Sequence, residues 1–305
     1  MGVIDTLSAG FRLAFRKPWL AVVPVMLDCA LWRLPKLSMA PIAAEYISLA
    51  RQVVQSQANI GEASRAATSE MLTMAGDTLA GFNLLGLLAW ENLGVPSLVA
   101  RLPILANDSK WIVSRWLQLA LASGGLLVLG LLLTAAFLIP LAANVRGKRL
   151  TVVEMTRSIG QMWLRLVLVA GAIGLATLSG LLVGSLLGFL GIIILVAVLW
   201  IRLFTTFYPE ALALLGQGPI VAVLSSIQVM RANLWPTLQI LGLTYLLDVG
   251  LGVVWRALLL RAPAALPLVV VLSALVGTGL AAALLYYFSE RVTALVSRQA
   301  PHPTV

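Results

Sequence analysis

The chain has one cysteine and one histidine in 305 residues. A single cysteine allows no disulfide within the chain. Cys29 and His302 together supply no zinc or haem ligand set, so no metal or cofactor is expected. A Ser-His-Asp hydrolase would need the one histidine, which stands in the tail "QAPHPTV". Charge is scarce too: Asp, Glu, Lys and Arg make up 11% of residues, and none occurs between Leu166 and Ile201. The little charge present is lopsided, 21 basic against 12 acidic residues, for a net charge of +9.

What the chain has in abundance is apolar surface. Hydrophobic residues make up 60% of it, and its mean hydropathy is +0.99. A soluble domain of this length cannot hide that much. The apolar runs are continuous, whereas a β-barrel needs alternating segments of about ten residues. The expected class is therefore all-α integral membrane. In that class a positive balance sets orientation and meets anionic headgroups, so membrane lipids are the expected partners, with other membrane proteins after them. No basic run is interleaved with aromatics, which argues against nucleic acid. Arg16 and Lys17 precede the first apolar run without a small-residue cleavage site after it, as in an uncleaved signal anchor.

Six spans are expected, at about Pro18–Leu34, Leu119–Leu141, Leu166–Gly184, Gly188–Tyr208, Trp235–Trp255 and Leu266–Phe288. The uncharged run is too long for one crossing, and Gly180, Gly184, Gly188 and Gly191 mark its turn. Gly180 and Gly184 also form a GxxxG pattern, read here as internal packing. Arg12, Arg16, Lys17, Arg146, Lys148, Arg149, Arg157, Arg165, Arg291 and Arg298 then fall on one side. The positive-inside rule makes that side cytoplasmic, with both termini there, in a bacterial inner membrane. Arg256 and Arg261 fall outside, against the rule. The expected organisation is an in-plane helix and first span at 1–34, an extracytoplasmic helical cap at 35–116, and a five-span domain at 117–305.

The cap divides in two. Its first half is helix-forming, with Ile42, Tyr46, Leu49 and Val53 at helical spacing and Glu45, Arg51, Glu62, Arg65, Glu70 and Asp77 as a wet face. Its second half, "NLLGLLAWENLGVPSLVARLPILANDSKW", is apolar but interrupted by Gly94, Pro96 and Pro103. It is expected to lie on the outer membrane surface or on the span ends.

Three segments share a plan: an amphipathic stretch, a tryptophan, then a span. They are "VIDTLSAGFRLAFRKPW", "LTVVEMTRSIGQMW" and "GPIVAVLSSIQVMRANLW". The first sets Ile4, Leu7, Phe11 and Phe15 against Asp5, Ser8, Arg12 and Arg16. The second opens on Thr151 and Glu154, the pattern of a capping box. The third offers Ile220, Val223, Leu224, Ile227 and Met230 as an apolar face. Helices of this kind lie in the interface, and Trp19, Trp163 and Trp235 anchor the turn into the bilayer. The stretch "FYPEALALLGQGPIVAVLSSIQVMRANLWPTLQILGLTYLL", with the two earlier units, resembles bacterial multi-span proteins of the glycerophosphoryl diester phosphodiesterase membrane domain family and their relatives. The resemblance covers most of the chain outside 35–116. In that family the hydrolase is a separate soluble domain, for which the short tail here leaves no room, so the resemblance implies no phosphodiesterase activity.

Two carboxylates stand inside expected spans, Asp28 and Asp248. A carboxylate at mid-bilayer costs about 2.5–3.5 kcal/mol on insertion scales. Such residues line a solute path, pair with an arginine, or cap a broken backbone. Arg33, Arg202 and Arg256 are the candidate partners, and Pro24, four residues before Asp28, suggests a local break. The leading expectation is a non-enzymatic accessory, scaffold or lipid-organising protein. The alternatives are a small secondary transporter using Asp28 and Asp248, and an intramembrane lipid-processing enzyme.

Overall fold

In the computed structural model, residues 2–56, 61–89, 95–102, 107–186 and 190–299 are described. The chain is an all-α membrane protein. Five helical stretches among these residues are long and apolar enough to cross a membrane: Trp116–Val145, Val152–Gly184, Val196–Leu215, Leu234–Arg261 and Pro263–Ser297. The first expected span is not one of them. It consists of a 3-10 turn, Pro18–Ala21, and a 12-residue helix α2, Val22–Arg33. That helix rises about 18 Å, against a hydrocarbon core of about 30 Å. Pro18 lacks the N–H that would continue α1 (Val3–Arg16), so the chain breaks there. Pro24 breaks nothing. It sits in the first turn of α2, where an N–H has no helical partner anyway.

Five further helices complete the bundle after the 35–116 segment. They are α6 (Trp116–Val145), α7 (Val152–Leu186), α8 (Leu190–Phe204), α11 (Leu234–Arg261) and α12 (Leu266–Gln299). Two short ones, α9 (Tyr208–Leu215) and α10 (Pro219–Ala232), lie between α8 and α11. The expected turn at Gly188 lies outside the described residues. Gly180 does pack against α8, at Ile194 and Val198, while Gly171 and Gly174 face open space. Gly216, at φ +63°, ends α9, and Pro219 starts α10, the usual division of labour between these residues. The core centres on Phe207, Tyr287 and Phe288, with ring centroids 5.7–5.9 Å apart.

The three units differ from one another. Only the first and third have a break before the span. In the second, α7 runs without interruption through Trp163, and Thr151 and Glu154 cap it reciprocally. The apolar faces are also turned from their expected positions. In α1 the buried residues are Thr6, Leu7, Gly10 and Ala14, while Ile4 and Phe15 are exposed. In α10 they are Ala222, Ser226, Val229 and Met230, while Ile220 and Leu224 are exposed. The reason is the solvent. Lipid accepts large apolar side chains, and small residues let helix backbones approach. Gly10 sits directly on Gly279 and Ala283 of α12, where no side chain fits. α1 is thus packed along α12 rather than resting alone on the surface.

The segment expected to form the cap, 35–116, is not purely helical. Strands β1 (Pro35–Ser38) and β2 (Asn107–Ile112) form a parallel ribbon at its base. Helices α3 (Ala40–Ser56) and α4 (Glu62–Gly81) pair beyond it. In α3 the buried residues are Ile42, Ala43 and Ile47, whereas Tyr46, Leu49 and Val53 are exposed. The larger correction concerns the second half. The 3-10 turn Leu84–Ala89 and helix α5 (Leu98–Arg101) do not lie on the surface. Leu84, Leu85, Leu88, Val95, Leu98 and Val99 are buried. Leu87 and Leu88 meet Gly130 in the middle of α6, and Pro96 meets Gly277 about a third of the way along α12. This half re-enters the bundle. Gly94 and Pro103 lie outside the described residues.

Candidate functional site

Irregular backbone deep in a helical bundle needs partners for its N–H groups. Asp28 provides them. Its carboxylate accepts the Ser97 hydroxyl in a short hydrogen bond, and the N–H groups of Leu98 and Val99, both at 3.1 Å. Ser97 accepts the Ala100 N–H in turn. Asp28 is fully buried. It therefore caps α5 from a neighbouring helix. A related device holds the inner break between α8 and α9. There the Ser226 hydroxyl donates to the Phe204 carbonyl at 2.9 Å and accepts the Phe207 N–H at 3.1 Å.

Asp248, about halfway along α11, does meet an arginine. The partner is Arg101, the last residue of α5, in a close ion pair with both side chains 27% exposed. None of the three arginines proposed from spacing takes that place. Arg33 ends α2 and Arg202 lies in the last turn of α8, both exposed. Arg256 is exposed on α11.

The ion pair lies in a cleft of about 510 Å³ between α11 and the rest of the bundle. Apolar walls come from Phe137, Leu241, Leu280 and Leu284. Arg256 stands at the wall as well, but Asp28, Arg33 and Arg202 do not. Glu210 and Thr244 also line it, and Glu210 Oε2 and Thr244 Oγ1 are buried without a hydrogen-bond partner. The cleft opens along α11, where Tyr245, Val249 and Val253 are exposed. Its size is that of an ordinary small-molecule site. Its mixed wall suits a molecule with an apolar body and a polar group.

Arg101 and Glu210 were missed by the sequence reading. Arg101 interrupts an apolar run in "SLVARLP", the same signal that marked the aspartates. Glu210 follows Pro209 in "YPEAL", a helix-start pattern that explains an acidic residue in a first turn. Of the expected anchors, Trp19 and Trp235 are exposed. Trp163 instead donates its indole N–H to the Val128 carbonyl of α6 at 3.0 Å. Among the described residues no group of three His, Cys, Asp or Glu side chains could hold a metal ion. The chain matches no protein-family model, no curated protein and no solved structure.

Proposed function

We propose that the chain is a non-enzymatic, lipid-organising membrane protein that holds an amphiphile in the cleft beside α11. The observation that carries this reading is the cleft itself: apolar walls, one ion pair, and a carboxylate oxygen and a hydroxyl without partners. A lipid enters such a cleft sideways, its chain along the exposed edge of α11 and its polar group near Asp248. The transporter reading is weakened at Asp28, whose oxygens are already committed to three hydrogen bonds. It retains Asp248 and Glu210. The enzyme reading needs an acid and a base in reach of one another, and Asp248 is held by Arg101 instead.

The setting proposed for this activity is a bacterial cytoplasmic membrane, with six crossings and both termini inside. The first crossing then relies on α2 together with the re-entrant segment. The contact of Lys17 Nζ with Asn144 Oδ1, at 2.6 Å, supports it by bringing the first unit to the basic end of α6. Partners in this reading are lipids and other membrane proteins, and its broader kinship is with the membrane domain family that the three units resemble.

The test is lipid retention. The full chain is purified in mild detergent and its bound lipid measured by native mass spectrometry. Gly252 lines the cleft and has open space where a Cβ would stand, so Gly252→Trp places a bulky side chain there to fill it. Wild type should carry about one lipid, and the variant should lose most of it. Equal retention by the two, or none by either, would defeat the proposal.

A further inference from the structure

A second concavity lies further along α6, at the end of the bundle that carries most of the basic loop. It measures about 170 Å³. At about 30 Å³ per water, that is room for several waters or one small anionic group. Three cations line it, Arg146, Lys148 and Arg165, with Ser158 and Gln161 as neutral donors. No carboxylate is among its lining residues.

The cations are held differently, and the difference matters. Arg146 donates to the Ala213 carbonyl at 3.0 Å. Arg165 donates to the carbonyls of Gly216 and Gln217 at 2.8 and 2.9 Å. Both thus cap the C-terminus of α9, satisfying carbonyls that a helix end leaves open. A guanidinium has five N–H donors in a fixed fork. Each arginine uses one nitrogen on the backbone, so the fork is fixed in place and the remaining donors are free to serve another acceptor.

Lys148 is different. Gly147, at φ +67°, turns the chain after α6, and the Lys148 backbone N–H closes that turn onto the Ala143 carbonyl. Its ammonium has no partner among the described residues. The nearest acidic residue on this face of α7 is Glu154, one turn before Ser158. Its carboxylate is occupied by the Thr151 N–H and hydroxyl, both at 2.9 Å. Partial burial pulls the Arg146 guanidinium below its ordinary value, although much of the side chain stays open to solvent. The partial negative charge of the α9 C-terminus answers only part of three full positive charges.

We infer that this concavity is a binding site for a phosphate ester anion, gripped by the Arg146 and Arg165 forks and neutralised by Lys148. Planar forks suit phosphate oxygens, and a flexible ammonium serves as the point charge. The same chemistry is presented by an anionic phospholipid headgroup and by a free phosphate. Basic pockets at the cytoplasmic ends of membrane helices are suited to the former. This site is independent of the cleft beside α11, and its success or failure leaves that proposal untouched.

The experiment uses the full chain carrying Gly252→Trp, so that lipid in the cleft does not contribute. It is reconstituted in nanodiscs of phosphatidylcholine with increasing phosphatidylglycerol, and retained phosphatidylglycerol is counted by native mass spectrometry after release into detergent. Thermal stabilisation by inorganic phosphate, with chloride at equal ionic strength as control, forms the second arm. Lys148→Gln removes a charge that no contact in the fold depends on, so folding should be unchanged. Retention of phosphatidylglycerol should fall about fivefold, the contribution of one basic residue near an anionic surface. Arg165→Lys keeps the charge but loses the fork, and should weaken retention as well. Stabilisation by phosphatidylglycerol but not inorganic phosphate identifies a lipid headgroup, and stabilisation by both identifies a general phosphate site. Equal retention of the two lipids without any phosphate effect overturns the inference. So does a Lys148→Gln protein that binds like its parent.

Discussion

Helices α11 and α12 are neighbours in the chain and similar in length, 28 and 34 residues. Yet the apolar window of α12 is 56% buried, and that of α11 only 6%. α12 is the more apolar of the two, but apolar content does not by itself explain the difference: α7, with a mean hydropathy of 2.4 against 2.5 for α12, is only 12% buried. What differs is where small residues meet a neighbour. On α12, Gly277 receives Pro96, Gly279 receives Phe11, and Ala282 and Ala283 are fully buried. On α11, Gly242, Gly250 and Gly252 face open space. α11 is held instead by polar contacts and by its ends. Thr237 shares a 2.9 Å hydrogen bond with Tyr287, and Asp248 pairs with Arg101. At its far end Leu259 packs with Leu98, Leu266 and Val270. Within lipid there is no hydrophobic drive for one apolar helix to bury against another. Close approach and polar pairing decide which helix is packed and which stands off, and the cleft is the space between those two outcomes.

The largest way to break this contrast is to release the re-entrant segment that touches both helices. Asp28→Ala leaves the Leu98 and Val99 N–H groups and the Ser97 hydroxyl without their acceptor. A loss of about 3–5 kcal/mol is expected, since each buried donor left without an acceptor costs about 1–3 kcal/mol. It should be read as a lower thermal midpoint in detergent. Asp28→Asn keeps one acceptor oxygen and should lose less.

Packing comes next. Gly277→Leu drives a side chain into Pro96, and a loss of about 1–3 kcal/mol is expected from such overpacking. Gly250→Leu on α11 should change stability by less than about 0.5 kcal/mol, as at an open surface position. Similar midpoints for the two variants would erase the distinction between the helices.

The ion pair sharpens the comparison on the α11 side. Asp248→Ala or Arg101→Ala should each lower stability by about 1–2 kcal/mol, between the values for exposed and for buried pairs. The double substitution should lose less than the sum, since neither charge is then left alone. A strictly additive result would mean that the pair does not hold α11.

The smallest effect on stability is expected from labelling, which tests orientation. In a Cys29→Ala background, needed because Cys29 is exposed, single cysteines replace Ser56 or Ser158. An impermeant thiol reagent on intact cells should reach the first and not the second. The reverse pattern would invert the topology.

Much of the bundle was legible because long apolar runs have few other uses. Both boundaries of α6 and the starts of α11 and α12 lie within a few residues of the sequence reading, although α11 and α12 run on past their expected ends to Arg261 and Gln299, and the split of the uncharged run falls between α7 and α8. The capping box at Thr151 and Glu154 was legible because it is local. The faces of α1 and α10 were misread for one physical reason. Hydrophobic periodicity assumes that water surrounds the molecule, so it assigns the largest apolar residues to the core. Where lipid surrounds a helix, Ile4 or Leu224 is at ease outside and Gly10 or Ser226 belongs within.

The candidate site was legible by half. Asp28 and Asp248 stood out because a carboxylate in an apolar run is expensive wherever it points. Their partners did not, because Ser97 and Arg101 lie some 70 and 150 positions away in a segment assigned to the surface. The sequence by itself determined that this chain is a helical membrane protein, roughly where its long helices run, and which carboxylates need an explanation. Only the tertiary structure decided what those carboxylates do. Apolar composition places a segment in the bilayer without regard to neighbours, whereas a hydrogen bond or an ion pair exists only once two distant segments have been brought within about 3 Å of one another.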